Sequence, residues 1–419
     1  MKKFLYSSLL LILASNLCAQ DWERRHQFAK SYFGISNFIV PSLSNRSLLN
    51  EQGEVQSFER SGFLTPSINL GATHFWGHAD FFISISTIDI KFGEDEIDNS
   101  IRLGTFTGLR IYPFPTKEQT IRPYVGYRFS PFRYKQKDGT NQSFKFTRVK
   151  SVFDIGLGIQ LKKLYLTLDY GRVVNSSFTN YLSKTVTARD HFPEHLFQIG
   201  FNFAIETTAP ANTDLNKAAN RSFSASNRNG FFVGAGFSAA FPTTSSSYVT
   251  ELYPYLDDKS FPTVFPDLVV GYHFSKIDLV TSLSYRPMKQ ERSAFGFRQQ
   301  ISRNSIIAEV YKFVGDYHGF APYVGMGLGY ENLQFSEAEQ DVTIDEFSEN
   351  KLSPAILFGW DIRPSEKGDW WVLRTNLRYY PFLEIEQQSK KLSLKHLEFN
   401  FIQFVWYPQR LRAYKRLQL

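Results

Sequence analysis

The chain has 419 residues, a net charge of +7, 41 Phe and 22 Tyr against 3 Met and 1 Cys, with 16% aromatic and 42% hydrophobic residues overall. One cysteine excludes a disulfide-stapled secreted scaffold, and the absence of any run of about 18 apolar residues excludes a helical membrane protein. The modest positive charge is spread over the chain, so no nucleic acid partner is expected.

Lys2 and Lys3 precede the apolar run from Phe4 to Leu13, and Leu17-Cys18-Ala19 places a small residue before Gln20. That order predicts a secretory signal peptide over residues 1–19, cleaved after Ala19. Cys18 lies inside it, and the bulky Leu17 argues against an acylated lipoprotein cysteine.

Residues 20–206 then carry eight alternating runs, beginning near Tyr32, Thr65, Ala79, Ile101, Arg122, Ser151, Leu164 and His195. Each has about the 9 to 11 residues of a tilted membrane strand. In the sixth, Phe153, Ile155, Leu157 and Ile159 alternate with Asp154, Gly156, Gly158 and Gln160. One face is greasy and the other small or polar, as a strand between lipid and a lumen requires. Long polar segments follow the odd runs, namely Ser42 to Gly62, Gly93 to Ser100, Lys135 to Thr147 and Arg172 to Glu194. Short ones follow even runs, such as Trp76-Gly77-His78 and Leu161-Lys162-Lys163. This alternation predicts an outer-membrane barrel with long outer loops and both termini periplasmic.

Residues 207–229, rich in Ser, Thr, Ala, Asn and Pro, read as a periplasmic linker. Residues 230–408 repeat the scheme, with Thr243 to Phe261 long and Ser275-Lys276 short. The repeat is visible in sequence as well. Pro66 to Gly71 returns as Pro266 to Gly271, Asp80 to Ser86 as Asp278 to Ser284, Pro123-Tyr124-Val125-Gly126 unchanged at Pro322 to Gly325, and His195-Leu196 at His396-Leu397. Four matches in order at a nearly constant offset point to an ancestral duplication. Trp370-Trp371 and Tyr379-Tyr380 bracket one strand of the second half and are expected as interface girdles. Gln409 to Leu419 form a basic C-terminal tail.

The expected fold class is therefore all-β, an antiparallel transmembrane β-barrel. Sixteen strands can close once, giving a pore, or twice, giving two tandem eight-stranded barrels with filled interiors. The inner face favours the second. It mixes Phe82, Phe106, Tyr124 and Tyr165 with Gly104, Gly108, Gly126, Gly156 and Gly158, and it places Arg110 and Arg128 where they can meet Asp154 and Asp169 in a buried structural network. One 16-stranded barrel is the alternative.

The signal peptide, the aromatic alternating runs, the Pro-Tyr-Val-Gly opening of the fifth strand and the glycine-bearing aromatic closing strand resemble small outer-membrane barrel proteins abundant in Bacteroidetes. These are similar to the eight-stranded membrane domains of outer membrane proteins A and X. The resemblance covers each half once and implies a fold and a compartment, not an activity. The duplication and the basic tail depart from it.

Candidate chemistry is sparse. His195 and His396 start the closing strands, and a hydrolase would need a nearby Ser and carboxylate, for which Ser177 and Asp190 are candidates. Asp80 and Asp278 follow short turns, where a carboxylate can accept turn amides. No metal-ligand spacing or cofactor motif is present. The expected function is a non-enzymatic barrel with a structural or binding role through long extracellular loops; the alternatives are a diffusion porin and an outer-membrane lipid hydrolase. Expected partners are outer-membrane lipids including lipopolysaccharide, the barrel-assembly machinery, and an envelope or extracellular partner.

Overall fold

The computed structural model describes residues 29–206 and 229–417, apart from 42, 51, 61, 89, 92–99, 138–142, 257–262, 317–318 and 364–369. The signal peptide, the segment after Gly93 and nearly all of the linker lie outside the described residues.

Sixteen strands form two closed antiparallel barrels. The first contains β1 (Lys30–Val40), β2 (Phe63–His74), β3 (Ala79–Ser86), β4 (Phe106–Ile111), β5 (Ile121–Lys137), β6 (Ser143–Leu161), β7 (Leu164–Val173) and β8 (His195–Glu206). β1 pairs with β8 from Lys30↔Glu206 to Ile39↔Phe197, so the sheet has no edge left. The second contains β9 (Gly230–Pro242), β10 (Thr263–Phe274), β11 (Leu279–Ala294), β12 (Phe297–Phe313), β13 (Phe320–Glu339), β14 (Val342–Ile362), β15 (Trp371–Tyr380) and β16 (His396–Trp406). It closes between Val233↔Trp406 and Pro242↔His396, with a bulge at Gly236. The single 16-stranded barrel is excluded by these two closures.

Alternation decides which side chain meets which medium. Phe153, Ile155 and Leu157 are exposed on the outer face of β6, while Val152 and Asp154 between and beside them are buried. On β13 the outward residues Val324, Met326, Leu328 and Tyr330 are 49–70% exposed, and the next outward positions are Asn332 and Gln334. Such a belt of exposed apolar side chains around a sheet without edges matches lipid and not water.

The strands of the second barrel outrun that belt. β13 and β14 have 20 and 21 residues, about 65 to 70 Å of strand at about 3.3 Å per residue. Tilted by about 40°, they reach about twice the height of an apolar band of about 25 Å. Their tip is the two-residue turn Gln340-Asp341, with φ of 49° and 68°, the doubly left-handed shape of a type I′ hairpin.

The long segments are more ordered than their composition suggests. Ser42 to Gly62 contains the hairpin Leu43–Leu49/Val55–Arg60, and Arg172 to Glu194 contains Ser177–Tyr181/Thr187–His191. Lys135 to Thr147 is largely a continuation of β5 and β6, which pair as far as Ser143↔Lys137. Thr243 to Phe261 carries α1 (Ser247–Leu252), and the basic tail forms α2 (Pro408–Leu417).

The barrels stand side by side with the same ends level. Phe81 meets Trp360 at 5.6 Å and Phe75 meets Phe320 at 4.9 Å near the short turns. At the loop ends Lys184 pairs with Glu339 at 2.5 Å. Both therefore cross one membrane in the same sense.

Because β1 and β8 pair directly, residues 20–206 alone should refold in detergent into a closed barrel. The expected readout is a gel mobility shift on boiling. Aggregation of the segment under conditions where the full chain shifts would contradict independent closure.

Candidate binding site at the loop end of the second barrel

An eight-stranded lumen is only wide enough for side chains, so whatever points inward must pack or pair. In both barrels the Tyr of Pro-Tyr-Val-Gly lies over a glycine of the neighbouring strand. A Cβ on Gly156 would sit 2.5 Å from the Tyr124 ring, and one on Gly359 the same distance from Tyr323. These glycines are sockets for the rings.

In the first barrel the structure brings Arg110, Arg128, Asp154 and Asp169 together in the lumen. Arg110 Nε and Nη2 donate to Asp169 at 3.3 and 3.4 Å, and Arg128 Nη2 is 3.0 Å from Asp154 Oδ1. Arg128 also donates to Gln198 at 2.9 Å, Tyr124 donates to Asp169, and the Arg110 guanidinium lies 4.0 Å over the Phe82 ring. Asp80 belongs to the same network. It is fully buried and accepts from Arg110 at 3.0 Å and from Tyr32 at 2.6 Å, so it is a lumen residue and not an acceptor for turn amides.

Sequence reading passed over the second lumen, which is more heavily charged. Arg286 joins Glu398 at 2.6 Å and Glu309 at 3.4 Å, and Arg378 joins Glu309 at 2.6 Å and Asp267 at 3.0 Å. Arg374 forks onto Asp361 at 2.7 and 2.9 Å. Arg303 reaches Glu331 at 3.5 Å and also pairs with Glu398. All these side chains are buried, and inward parity on β11, β12, β15 and β16 was the available signal.

Strand register revises two of the apparent repeats. Phe82 pairs with Gly71 and Ser282 with Gly271, which makes Val280 and not Asp278 the counterpart of Asp80. Asp278 stands in the turn at φ 51°, 3.7 Å from His273. Likewise Asp169↔Gln198 answers Asn376↔Asn400, so Leu397 and not His396 takes the place of His195. A slip of one residue moves a side chain to the other face. His195 is exposed and stacks on Tyr170, whose hydroxyl is 2.8 Å from Nδ1. Ser177 pairs in its hairpin with His191, and Asp190 accepts from Asn180 at 2.8 Å. His396 points inward: Nδ1 lies 2.6 Å from the Leu394 carbonyl and Nε2 2.7 Å from Arg303 Nη1. Tyr380, expected in an interface girdle, is also buried, stacked on His396 at 4.5 Å. Trp371 does face outward, against Phe404.

The elongated strands border a chamber above His396 and Arg303. Met288, Ile301, Leu333, Leu383 and Leu394 give it apolar walls, and Arg292, Arg303, Lys395 and His396 line it with no carboxylate among its lining residues. The outer hairpin Glu384–Gln387/Lys390–Ser393 and α1 roof this end of the barrel. Ser246 Oγ donates to the Lys391 carbonyl at 3.0 Å, and Thr244 lies 2.6 Å from Ser393 Oγ. Tyr248 and Tyr253 donate to Glu337 at 3.0 and 3.2 Å, as does Gln299 at 2.8 Å, and Tyr253 stacks on Phe297 at 4.3 Å. Burial holds the Glu337 carboxyl above its ordinary range and, with the nearby Glu337 charge, keeps both phenols protonated as donors. At the hairpin, hydrogen bonds from Lys395 and Lys391 hold Glu384 below the ordinary range. Among the described residues no group of three His, Cys, Asp or Glu could hold a metal ion.

No family model matches the chain, and no curated protein matches it. Among solved structures it is similar to Neisserial surface protein A, at 17% identity over 42% of this chain and 96% of that one, with a TM-score of 0.31. It is similar to Ail, the attachment invasion locus protein of Yersinia pestis, at 15% identity over 42% of this chain and 97% of that one, with a TM-score of 0.28. An outer membrane channel from Pseudomonas putida F1 matches at 8% identity over 90% of this chain and 94% of that one, with a TM-score of 0.22. The fold stands on the strand pairings.

Replacing Arg110 by Ala leaves Asp80 and Asp169 buried without their cation, which should destabilise the first barrel by about 3 to 5 kcal/mol. Urea titration of residues 20–206 in detergent measures it, with the exposed Arg172→Ala as a control expected within about 0.5 kcal/mol of the parent.

Glu337→Ala removes the acceptor shared by Tyr248 and Tyr253 and should lower hydrogen-exchange protection of residues 247–253 about tenfold, leaving the barrel amides unchanged. The parent should show a pH trend too. A carboxyl whose docked pKa lies above 4.5 favours docking in acid, so protection falls as pH rises through that value.

Proposed function

We propose that this chain is an outer-membrane protein of the duplicated kind its repeats suggest, secreted through residues 1–19, with both termini periplasmic. Its two barrels are non-enzymatic scaffolds, and their outer ends bind a ligand or partner. The observation that carries this reading is the contrast along the barrel axis: both lumens are filled by buried ion pairs, whereas the strands of the second rise past the apolar belt to hold a roofed chamber. Lipids of the outer membrane, lipopolysaccharide included, cover the belt, and the barrel-assembly machinery inserts each half. The ring contacts of His195 and His396, to Tyr170 in one case and to Arg303 and Glu398 in the other, support a structural role for both.

A closed scaffold should leave a planar bilayer silent. Stable nanosiemens steps from purified full-length protein would overturn the reading in favour of a diffusion channel. A protease site inserted at Gln340-Asp341 should be cut in intact cells, whereas protection there would reverse the orientation.

A further inference from the structure

Resting on that reading of the second barrel's outer end, we infer that the chamber above His396 binds a small oxyanion, carboxylate or phosphate, that carries a short apolar chain. Three features select this chemistry. The chamber's lining supplies Arg292, Arg303 and Lys395 and no carboxylate. Arg303 is held by Glu398 and Glu331, and Lys395 by Glu384 at 2.9 Å, and these three acids lie outside that lining. A ligand thus meets cationic groups and no acidic one on the chamber lining, and a reduced local dielectric strengthens their pull on an anion.

The second feature is the apolar surface beside these cations, where Met288 and Leu333 are the cross-strand partners of Arg303. Met288, Ile301 and Leu333 offer apolar surface to a chain and nothing to a purely polar ion. The third is size. The cavity volume of about 30 Å³ suits a small ligand and excludes a folded partner. His396 fixes the floor: with Nδ1 on the Leu394 carbonyl and Nε2 on Arg303, it holds the guanidinium in place under the chamber.

The test uses full-length protein in nanodiscs of zwitterionic lipid, with empty nanodiscs subtracted, and reads ligand-observed NMR line broadening. Hexanoate and hexyl phosphate should bind, and hexanol and hexylammonium should bind at least tenfold more weakly. Inorganic phosphate should also bind weakly, because it lacks the chain. Arg292→Gln and Lys395→Gln should each weaken hexanoate about tenfold or more while the variants keep their heat-dependent gel shift. Loss of that shift in one variant leaves the other to decide. Equal binding of hexanoate and hexanol, or full hexanoate binding to the folded variants, overturns the inference. Absence of all binding from a protein that also leaves bilayers silent overturns the ligand class alone, whereas nanosiemens conductance overturns the closed-scaffold reading beneath it.

Discussion

Every backbone amide and carbonyl within the apolar belt must find a partner in the protein, because hydrocarbon offers none. In this chain that demand is met twice, by β1 on β8 and by β9 on β16. The rest follows from the small circumference this imposes. Eight strands leave a lumen that water cannot run through, so inward side chains must interlock, and any inward charge must find its opposite within reach. The tyrosine-over-glycine sockets satisfy the first requirement and the arginine networks the second.

The two lumens meet those requirements with different residues. Tyr124 with Gly156 and Tyr323 with Gly359 occupy matching positions, but the place of Arg110 is taken by Tyr311, that of Asp169 by Asn376, and that of Gly108 by Glu309. The two lumens share this packing geometry and differ in where their charges lie. An arginine cannot be replaced alone in such a lumen, since its carboxylate would then be stranded, so substitutions accumulate as compensated groups.

Much of the fold was legible in the sequence because period-two alternation records the medium on each side of a strand directly. The same parity located Arg110, Arg128, Asp154 and Asp169. It applies equally to Arg286, Arg303, Glu309, Arg378 and Glu398. Matching by identity also misplaced Asp278 and His396. Turn lengths differ between the halves, and a residue found at nearly the same offset can fall one or two places along the strand. Register is set by cross-strand pairing, which a single chain read linearly does not display. The roof was hidden for another reason. Composition marks Thr243 to Phe261 as polar, but the contacts that order α1 come from Lys391 and Glu337, far away in sequence.

Closure within each half also shapes how the chain can be assembled. A first strand exposes an unpaired edge until its eighth arrives, and such edges invite wrong partners. With one closure per half, the vulnerable interval is split in two: Lys30–Val40 waits only for His195–Glu206, and Gly230–Pro242 only for His396–Trp406. The N-terminal barrel can be finished before the C-terminal one has a complete sequence to fold, so an error in the later strands need not undo the earlier ones. Two closures in tandem in this way double the membrane-embedded mass without lengthening the longest search that any strand must make for its neighbour.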